Sequence, residues 1–158
     1  MSKTEPKQGT AKGGLSAACL ADLKAIAIPR HARWDPMGLM TVRSYVRNQL
    51  SDLGDLEEHH FTSGIDAGIN FILKLPGRNP KRRPLLVGAH YDGPLHSIGA
   101  DDNASGVALV MESARALSGQ TFPWTIKFIA FSGEELGLFG SRAYAEEALL
   151  KNDRILGV

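Results

Sequence analysis

The 158-residue sequence has little of several features, and each scarcity excludes a class of protein. Cys19 is its only cysteine, so an intrachain disulfide cannot form and the redox compartment stays open. No apolar run approaches the roughly 20 residues that a membrane-spanning helix needs. The formal net charge is only +1, which disfavours nucleic acid and anionic membrane surfaces as partners.

The composition is that of one globular domain. Hydrophobic residues make up 43% of the chain and charged residues 22%, and the length suits a single core. Residues 1–14 are polar and rich in Gly and Lys, so we expect a disordered tail there and a domain over 15–158. No apolar segment of the signal-peptide type precedes Cys19, so a cytoplasmic location is expected, without ruling out export.

Hydrophobic periodicity predicts an α/β fold. Apolar residues at helical spacing predict helices over 15–28, 37–53, 102–117 and 136–150. Strands are predicted at 55–62, 69–75, 84–91 and 124–131, and residues 154–158 resemble the start of another strand. The continuous apolar runs of the last two strands are typical of strands buried on both faces. We therefore expect a three-layer αβα sandwich with a mixed, partly parallel sheet, incomplete at its C-terminal side.

The loop over residues 78–84 is basic and contains two prolines. It has two interpretations, a phosphate-binding patch and a solvated connection between strands. The second is favoured, because a short run of charges between two strands usually does no more than face solvent.

Histidine and acidic residues stand at the ends of the two buried strands. The first strand ends in His90-Tyr91-Asp92, and side-chain alternation places the imidazole and the carboxylate on one side. A histidine at a strand end is more often structural than a ligand, but a neighbouring carboxylate fixes its tautomer and raises its basicity. The second strand continues into Glu134-Glu135, where adjacent side chains point in different directions. An imidazole and several carboxylates at one sheet edge suit a hydrolytic metal centre.

A second acidic pair, Asp101-Asp102, stands where the following helix should begin. One acid there would be explained by helix capping and the helix dipole, but two adjacent acids exceed what a cap needs. A phosphate-binding turn is disfavoured, because the glycine motifs of such turns are absent and two carboxylates repel a phosphate. The pair therefore favours a cation.

Three motifs in order carry a family resemblance: GAHYD at 88–92, GADDNASG at 99–106 and SGEELGLFGS at 132–141. They resemble the zinc metallopeptidases of the bacterial leucyl aminopeptidase and aminopeptidase Y type, whose relatives include glutamate carboxypeptidases and glutaminyl cyclases. The likeness extends from about residue 20 to residue 158. It implies hydrolysis of N-terminal peptide bonds by a zinc-activated water, with a peptide as substrate.

The resemblance also implies a role for each matching residue. His90 would bind one zinc, and Asp92 would orient that histidine. Asp102 would bridge two zincs, and a cis peptide bond would follow it. Glu134 would be the general base, and Glu135 would bind the same zinc as His90. Catalysis would thus rest on Glu134 and Asp92, and metal binding on His90, Asp102 and Glu135.

The sequence departs from the family pattern at the second zinc. The family needs an acid on the next strand and a later histidine, and neither is found after Arg154, so one zinc half-site is expected in a chain truncated at its C-terminal side. Two hypotheses follow. The first is that the chain is the N-terminal portion of a two-zinc aminopeptidase. The second is that it is a non-catalytic chain that binds at most one zinc or acts as an interaction module. An exposed sheet edge beside the His90 strand is expected to favour self-association.

Overall fold

The computed structural model describes residues 16–158, and the predicted disordered tail, residues 1–14, lies outside this range. Helices and strands follow one another along the described chain in the order that the periodicity predicts. The helices are α1 (Ala17–Ile26), α2 (Pro36–Ser51), α3 (Ser105–Leu117) and α4 (Phe139–Leu150), with a short irregular helical turn at Ala100–Ala104. The strands are β1 (Leu56–Ser63), β2 (Asp66–Leu75), β3 (Leu85–His90) and β4 (Ile126–Phe131).

The four strands form one mixed sheet in the order β1-β2-β4-β3. β2 pairs antiparallel with both β1 and β4, whereas β3 and β4 run parallel. β3 lies at the edge of this sheet, and its first residue also forms a parallel bridge to Gly157. The predicted start of another strand therefore lies beside β3.

Helices cover both faces of the sheet, which confirms the predicted α/β layering. Successive residues of β2 point to opposite faces, so Phe71 and Leu73 pack against α1, α2 and α3 while Ile72 packs against α4. The larger core lies on the three-helix side, and Tyr144 and Ala148 of α4 close the smaller core. Among residues 16–158, no helix is long and apolar enough to cross a membrane.

A buried carboxylate connects the three helices of the larger layer. Asp22 on α1 is 2% exposed, accepts a hydrogen bond of 2.7 Å from the Tyr45 hydroxyl on α2, and pairs with Arg115 on α3. Burial together with the bond to Asp22 raises the pKa of the Tyr45 phenol to about 12. The Tyr45 hydroxyl therefore stays protonated at neutral pH and remains the donor to Asp22.

The structure corrects several predicted boundaries near the ends of elements. The helix predicted from residue 102 begins at Ser105, because Asp102 and Asn103 have non-helical backbone angles. The helix predicted from residue 136 begins at Phe139, after a turn in which Gly137 and Leu138 have positive φ. These corrections fall where the chain leaves a strand and turns toward a helix, and hydrophobic periodicity carries no information about such turns.

Candidate metal centre

The parallel pair of strands brings two of the sequence motifs to one edge of the sheet. His90 is the last residue of β3 and lies opposite Phe131, the last residue of β4. The chain after Phe131 turns at once and presents Glu134 and Glu135 beside the imidazole. The carboxyl ends of parallel strands are the usual place for ligand sites in open α/β sheets.

Three predicted site residues, Asp102, Glu134 and Glu135, lie around the imidazole of a fourth, His90. Ligand atoms of His90, Glu134 and Glu135 all lie within 4.8 Å of one another. The Asp102 carboxylate approaches from the turn before α3, with Oδ1 3.0 Å from His90 Nε2. Glu134 Oε2 lies 3.8 Å from the same nitrogen. The three mutually close residues are thus His90, Glu134 and Glu135, whereas the resemblance implies His90, Asp102 and Glu135 as ligands. The assignment of Glu134 as base and Glu135 as ligand therefore stays a prediction.

The site grades from buried to exposed. The His90 side chain is 11% exposed, whereas Glu134 is 37% exposed and Asp102 is 61% exposed. Glu135 has one carboxylate oxygen, Oε1, that is buried and has no hydrogen-bond partner among the described residues. His90 Nδ1 is buried without a hydrogen bond in the same way. Buried polar atoms normally have partners, so the Glu135 oxygen is suited to contact a group that binds there, whereas His90 Nδ1 faces Asp92.

The concentration of carboxylates shifts two pKa values in the metal-free chain. Burial raises the pKa of the Glu135 carboxyl, and the neighbouring charges of Asp102 and Glu134 raise it further. Burial alone would lower the pKa of the His90 imidazole, but Asp92, Glu134 and Asp102 outweigh it and the pKa is raised. The neighbouring carboxylates contribute to both shifts, and a bound cation would relieve the repulsion among them. An imidazole with several carboxylates is a donor set that fits a zinc ion.

Asp92 connects the ends of the two parallel strands. Its side chain is fully buried, and its Oδ1 lies 3.6 Å from His90 Nδ1, which is longer than a hydrogen bond. The carboxylate instead accepts two backbone hydrogen bonds, from the Glu134 N–H at 3.3 Å and from the Glu135 N–H at 3.0 Å. The predicted role, orientation of His90, stays a prediction, and the structure gives Asp92 a second role that the sequence did not indicate. Asp92 also fixes the turn that carries both glutamates.

Asn70 is a supporting residue that the sequence interpretation missed. It is fully buried on β2, accepts a hydrogen bond of 3.0 Å from the Ser132 N–H and donates one of 2.8 Å to the Gly140 carbonyl. A Cβ at Gly140 would lie 2.3 Å from the Asn70 side-chain oxygen, so only glycine fits there. The available signal was an amide within an otherwise apolar strand pattern.

The turn before α3 also has the geometry that the resemblance implies. The Asp102–Asn103 peptide bond is cis. The Asn103 side-chain oxygen then accepts a hydrogen bond of 3.1 Å from the Gly106 N–H in the first turn of α3. The backbone of the turn thus directs Asp102 toward His90 while Asn103 stabilises the start of the helix.

The fold and the site together define a class, the open α/β-sheet proteins with a candidate metal site at the carboxyl ends of two parallel strands. Within that class the chain belongs to peptidase family M28, whose family model matches residues 70–158, more than half of the chain. This confirms the family that the three motifs indicated.

Two relatives are similar in sequence. Aminopeptidase YwaD of Bacillus subtilis is 48% identical over 62 residues, which cover 39% of this chain and 14% of the relative. Leupeptin-inactivating enzyme 1 of Streptomyces exfoliatus is 37% identical over 103 residues, covering 63% of this chain and 23% of the relative. The chain thus spans less than a quarter of the length of either protein.

A solved structure extends the comparison to the whole fold. The glutaminyl cyclase of an Acidobacteriales bacterium superposes with a TM-score of 0.74 at 18% identity, covering 94% of this chain and 59% of that protein. At this identity the match establishes the fold alone. The fold is therefore that of the family, and the chemistry has to be argued from the site.

Proposed function

We propose that this chain carries the metal-binding part of a zinc-dependent exopeptidase of the aminopeptidase type. Such an enzyme hydrolyses the peptide bond nearest the N-terminus of a peptide. The observation that carries the proposal is the group formed by His90, Glu134 and Glu135, whose ligand atoms lie within 4.8 Å of one another. Membership of family M28 and similarity to a protein named as an aminopeptidase support the reaction class.

Three residues would hold the zinc: His90 through an imidazole nitrogen, and Asp102 and Glu135 through carboxylate oxygens. The Glu135 oxygen that has no partner is an available ligand atom, and His90 Nε2 already faces the Asp102 carboxylate. Zinc binds nitrogen and oxygen ligands of this kind and, when bound, acts as a Lewis acid that polarises a carbonyl and acidifies water.

Glu134 is the residue that would move the proton. It is more exposed than His90 and lies on the wall of a cleft of about 230 Å³ that His90, Asn103 and Phe131 also line. A carboxylate held at the edge of such a cleft can accept a proton from the attacking water and return it to the leaving amine. The backbone hydrogen bond from the Glu134 N–H to Asp92 keeps the carboxylate on this wall.

The first test is the number of zinc ions bound. Among residues 16–158, His90, Glu134 and Glu135 form the one group of three mutually close ligand residues. We therefore expect one zinc per chain, measured by elemental analysis after dialysis, and slow hydrolysis of leucine p-nitroanilide, because two-metal hydrolysis uses both ions. The H90A variant should lose the bound zinc, whereas H60A, a change at a histidine 67% exposed on β1, should retain it.

Two results would contradict the proposal in different ways. A parent chain that binds no zinc would exclude the metal site. Two zinc ions with rapid turnover would exclude the half-site and show that other residues complete it. One zinc with no turnover at all would favour the alternative, a non-catalytic chain that binds a single metal ion.

We also propose that the edge strand β3 promotes self-association with a second copy of the chain. The Leu86 N–H donates to the Gly157 carbonyl at 3.0 Å, but this pairing covers only the first part of β3. Sheet edges with free N–H and C=O groups pair readily with other strands. Sedimentation velocity should show a heavier species that increases with protein concentration, and a constant monomer across that series would exclude the edge as an interface.

A further inference from the structure

Arg30 is a buried cation outside the three sequence motifs. It lies in the loop between α1 and α2, about 60 residues before His90, and its side chain is 0% exposed. Charged side chains are almost never fully buried unless their charge is compensated. No carboxylate among residues 16–158 forms a direct ion pair with Arg30, so hydrogen bonds must compensate its charge.

All five N–H donors of the Arg30 guanidinium are directed at backbone carbonyl groups. Nε donates to the Tyr91 carbonyl at 2.9 Å. One terminal nitrogen donates to the carbonyls of Ile28 at 3.2 Å and Ile98 at 2.5 Å. The other donates to those of Gly99 at 2.9 Å and Asp102 at 3.4 Å. A guanidinium has five donors in a rigid planar fork, so its hydrogen-bonding capacity is fully used.

Four of the five acceptors belong to the two segments that carry the candidate metal ligands, and the fifth, Ile28, lies two residues before Arg30 itself. Tyr91 lies between His90 and Asp92 at the end of β3. Ile98, Gly99 and Asp102 belong to the segment that leads into α3. One guanidinium therefore joins the two segments through hydrogen bonds, and so sets how far the Asp102 backbone lies from the end of β3.

The backbone of two glycines packs closely against the Arg30 side chain. A Cβ at Gly93 would lie 3.0 Å from the Arg30 side chain, and a Cβ at Gly99 would lie 3.0 Å from its terminal nitrogen. Gly99 also has φ +53°, a left-handed conformation that favours glycine. Two glycines thus let the backbone approach the guanidinium closely.

We propose that Arg30 is a positioning residue of the metal centre, whose guanidinium holds the Asp102 segment against the end of β3 so that His90 and Asp102 meet with the spacing one zinc ion requires. The inference rests on the proposed zinc site. Burial lowers the Arg30 pKa, and the carboxylates of Asp92, Asp102 and Glu135 oppose that shift. The guanidinium charge therefore also offsets part of the repulsion among those acids.

Lysine cannot take over this role, which makes R30K the informative variant. A lysine keeps the charge but offers three donors on a point-like ammonium and cannot reach five carbonyls in one plane. The matched control is R115K, because Arg115 is another largely buried arginine, but it pairs with Asp22 and Glu112 in the helix layer and not with the ligand segments.

The test measures both the metal site and the segments themselves in the full 158-residue chain. We expect R30K to lower zinc affinity, from competition with a chromophoric chelator, by about 10–100-fold, as found for residues that orient metal ligands. Its Co²⁺ complex should show a changed d–d absorption band. Without metal, hydrogen–deuterium exchange should be faster in peptides covering residues 91–104. R115K should leave all three measurements at the parent values.

The outcomes separate this inference from the zinc proposal. If the parent binds neither Zn²⁺ nor Co²⁺, the proposed function fails. Faster exchange over residues 91–104 in R30K would still support the role of Arg30 in holding the two segments together. Parent-like exchange in R30K would overturn the inference whether or not metal binds. If R30K does not fold, G93A replaces it, since its added Cβ presses on the guanidinium, and it should shift the same measurements less strongly in the same direction.

Discussion

Replacing Glu135 with glutamine should lower the zinc affinity of the chain by about 100-fold or more, while E134Q should change it by less than about fivefold. Loss of an orienting residue costs about 10–100-fold in metal affinity, so loss of a ligand should cost at least the upper end of that range. Glu135 has the buried oxygen without a partner, whereas the Glu134 side chain is 37% exposed and lines the cleft. The two variants remove the same charge from adjacent positions, so each is the control for the other.

The measurement is chelator competition at constant pH and ionic strength, followed by hydrolysis of leucine p-nitroanilide at saturating zinc. E134Q should bind zinc and lose whatever turnover the parent has, by about 10²–10⁴-fold, which is the usual contribution of a general base. Equal losses of affinity in both variants would instead make Glu134 a ligand, an arrangement that the ligand distances within 4.8 Å also allow.

Replacing Asp92 with alanine should affect both stability and metal binding. The variant loses two hydrogen bonds to the Glu134 and Glu135 N–H groups from a fully buried carboxylate. Because hydrogen bonds to charged groups contribute about 1.5–3 kcal/mol each, we expect the free energy of unfolding to fall by about 2–4 kcal/mol after partial relaxation. Zinc affinity should fall by about 10–100-fold, since the turn that carries Glu134 and Glu135 loses its buried hydrogen-bond acceptor.

Urea denaturation of the metal-free protein measures the first effect and chelator competition the second. D92N keeps the shape of the side chain and one acceptor oxygen. Its free energy of unfolding and its zinc affinity should therefore lie between those of the parent and D92A. D101A, a change at the exposed neighbour of Asp102, is the matched control and should be near the parent. A D92A variant with parent-like stability would show that the turn does not depend on Asp92.

Much of the fold was predictable because it depends on local patterns. Continuous apolar runs identified β3 and β4 as strands, and helical spacing identified α2 and α3. The predicted burial holds for β4 but not for all of β3, which lies at the sheet edge and has Gly88 exposed. The predicted starts of α3 and α4 were wrong near Asp102 and Leu138, where the backbone leaves helical geometry. These conformations depend on what surrounds the turn, and no run of apolar residues reports them.

The candidate site was predictable only in its composition. The motifs named His90, Asp102, Glu134 and Glu135, and the structure brings all four together. The supporting contacts were not predictable in the same way. The five bonds from Arg30 span up to 72 positions along the chain, and no pattern around Pro29 signals them.

By itself, the sequence determined the family, the α/β class and the kinds of side chain at the strand ends, because residue identity and hydrophobic period are properties of short segments. Tertiary structure alone decided which carboxylate approaches His90, that Asp92 supports the glutamate turn, and that Arg30 joins the two ligand segments. Those outcomes depend on distances between segments far apart in the chain. Such distances are set by how helices and strands pack, and periodicity within any one segment does not contain them.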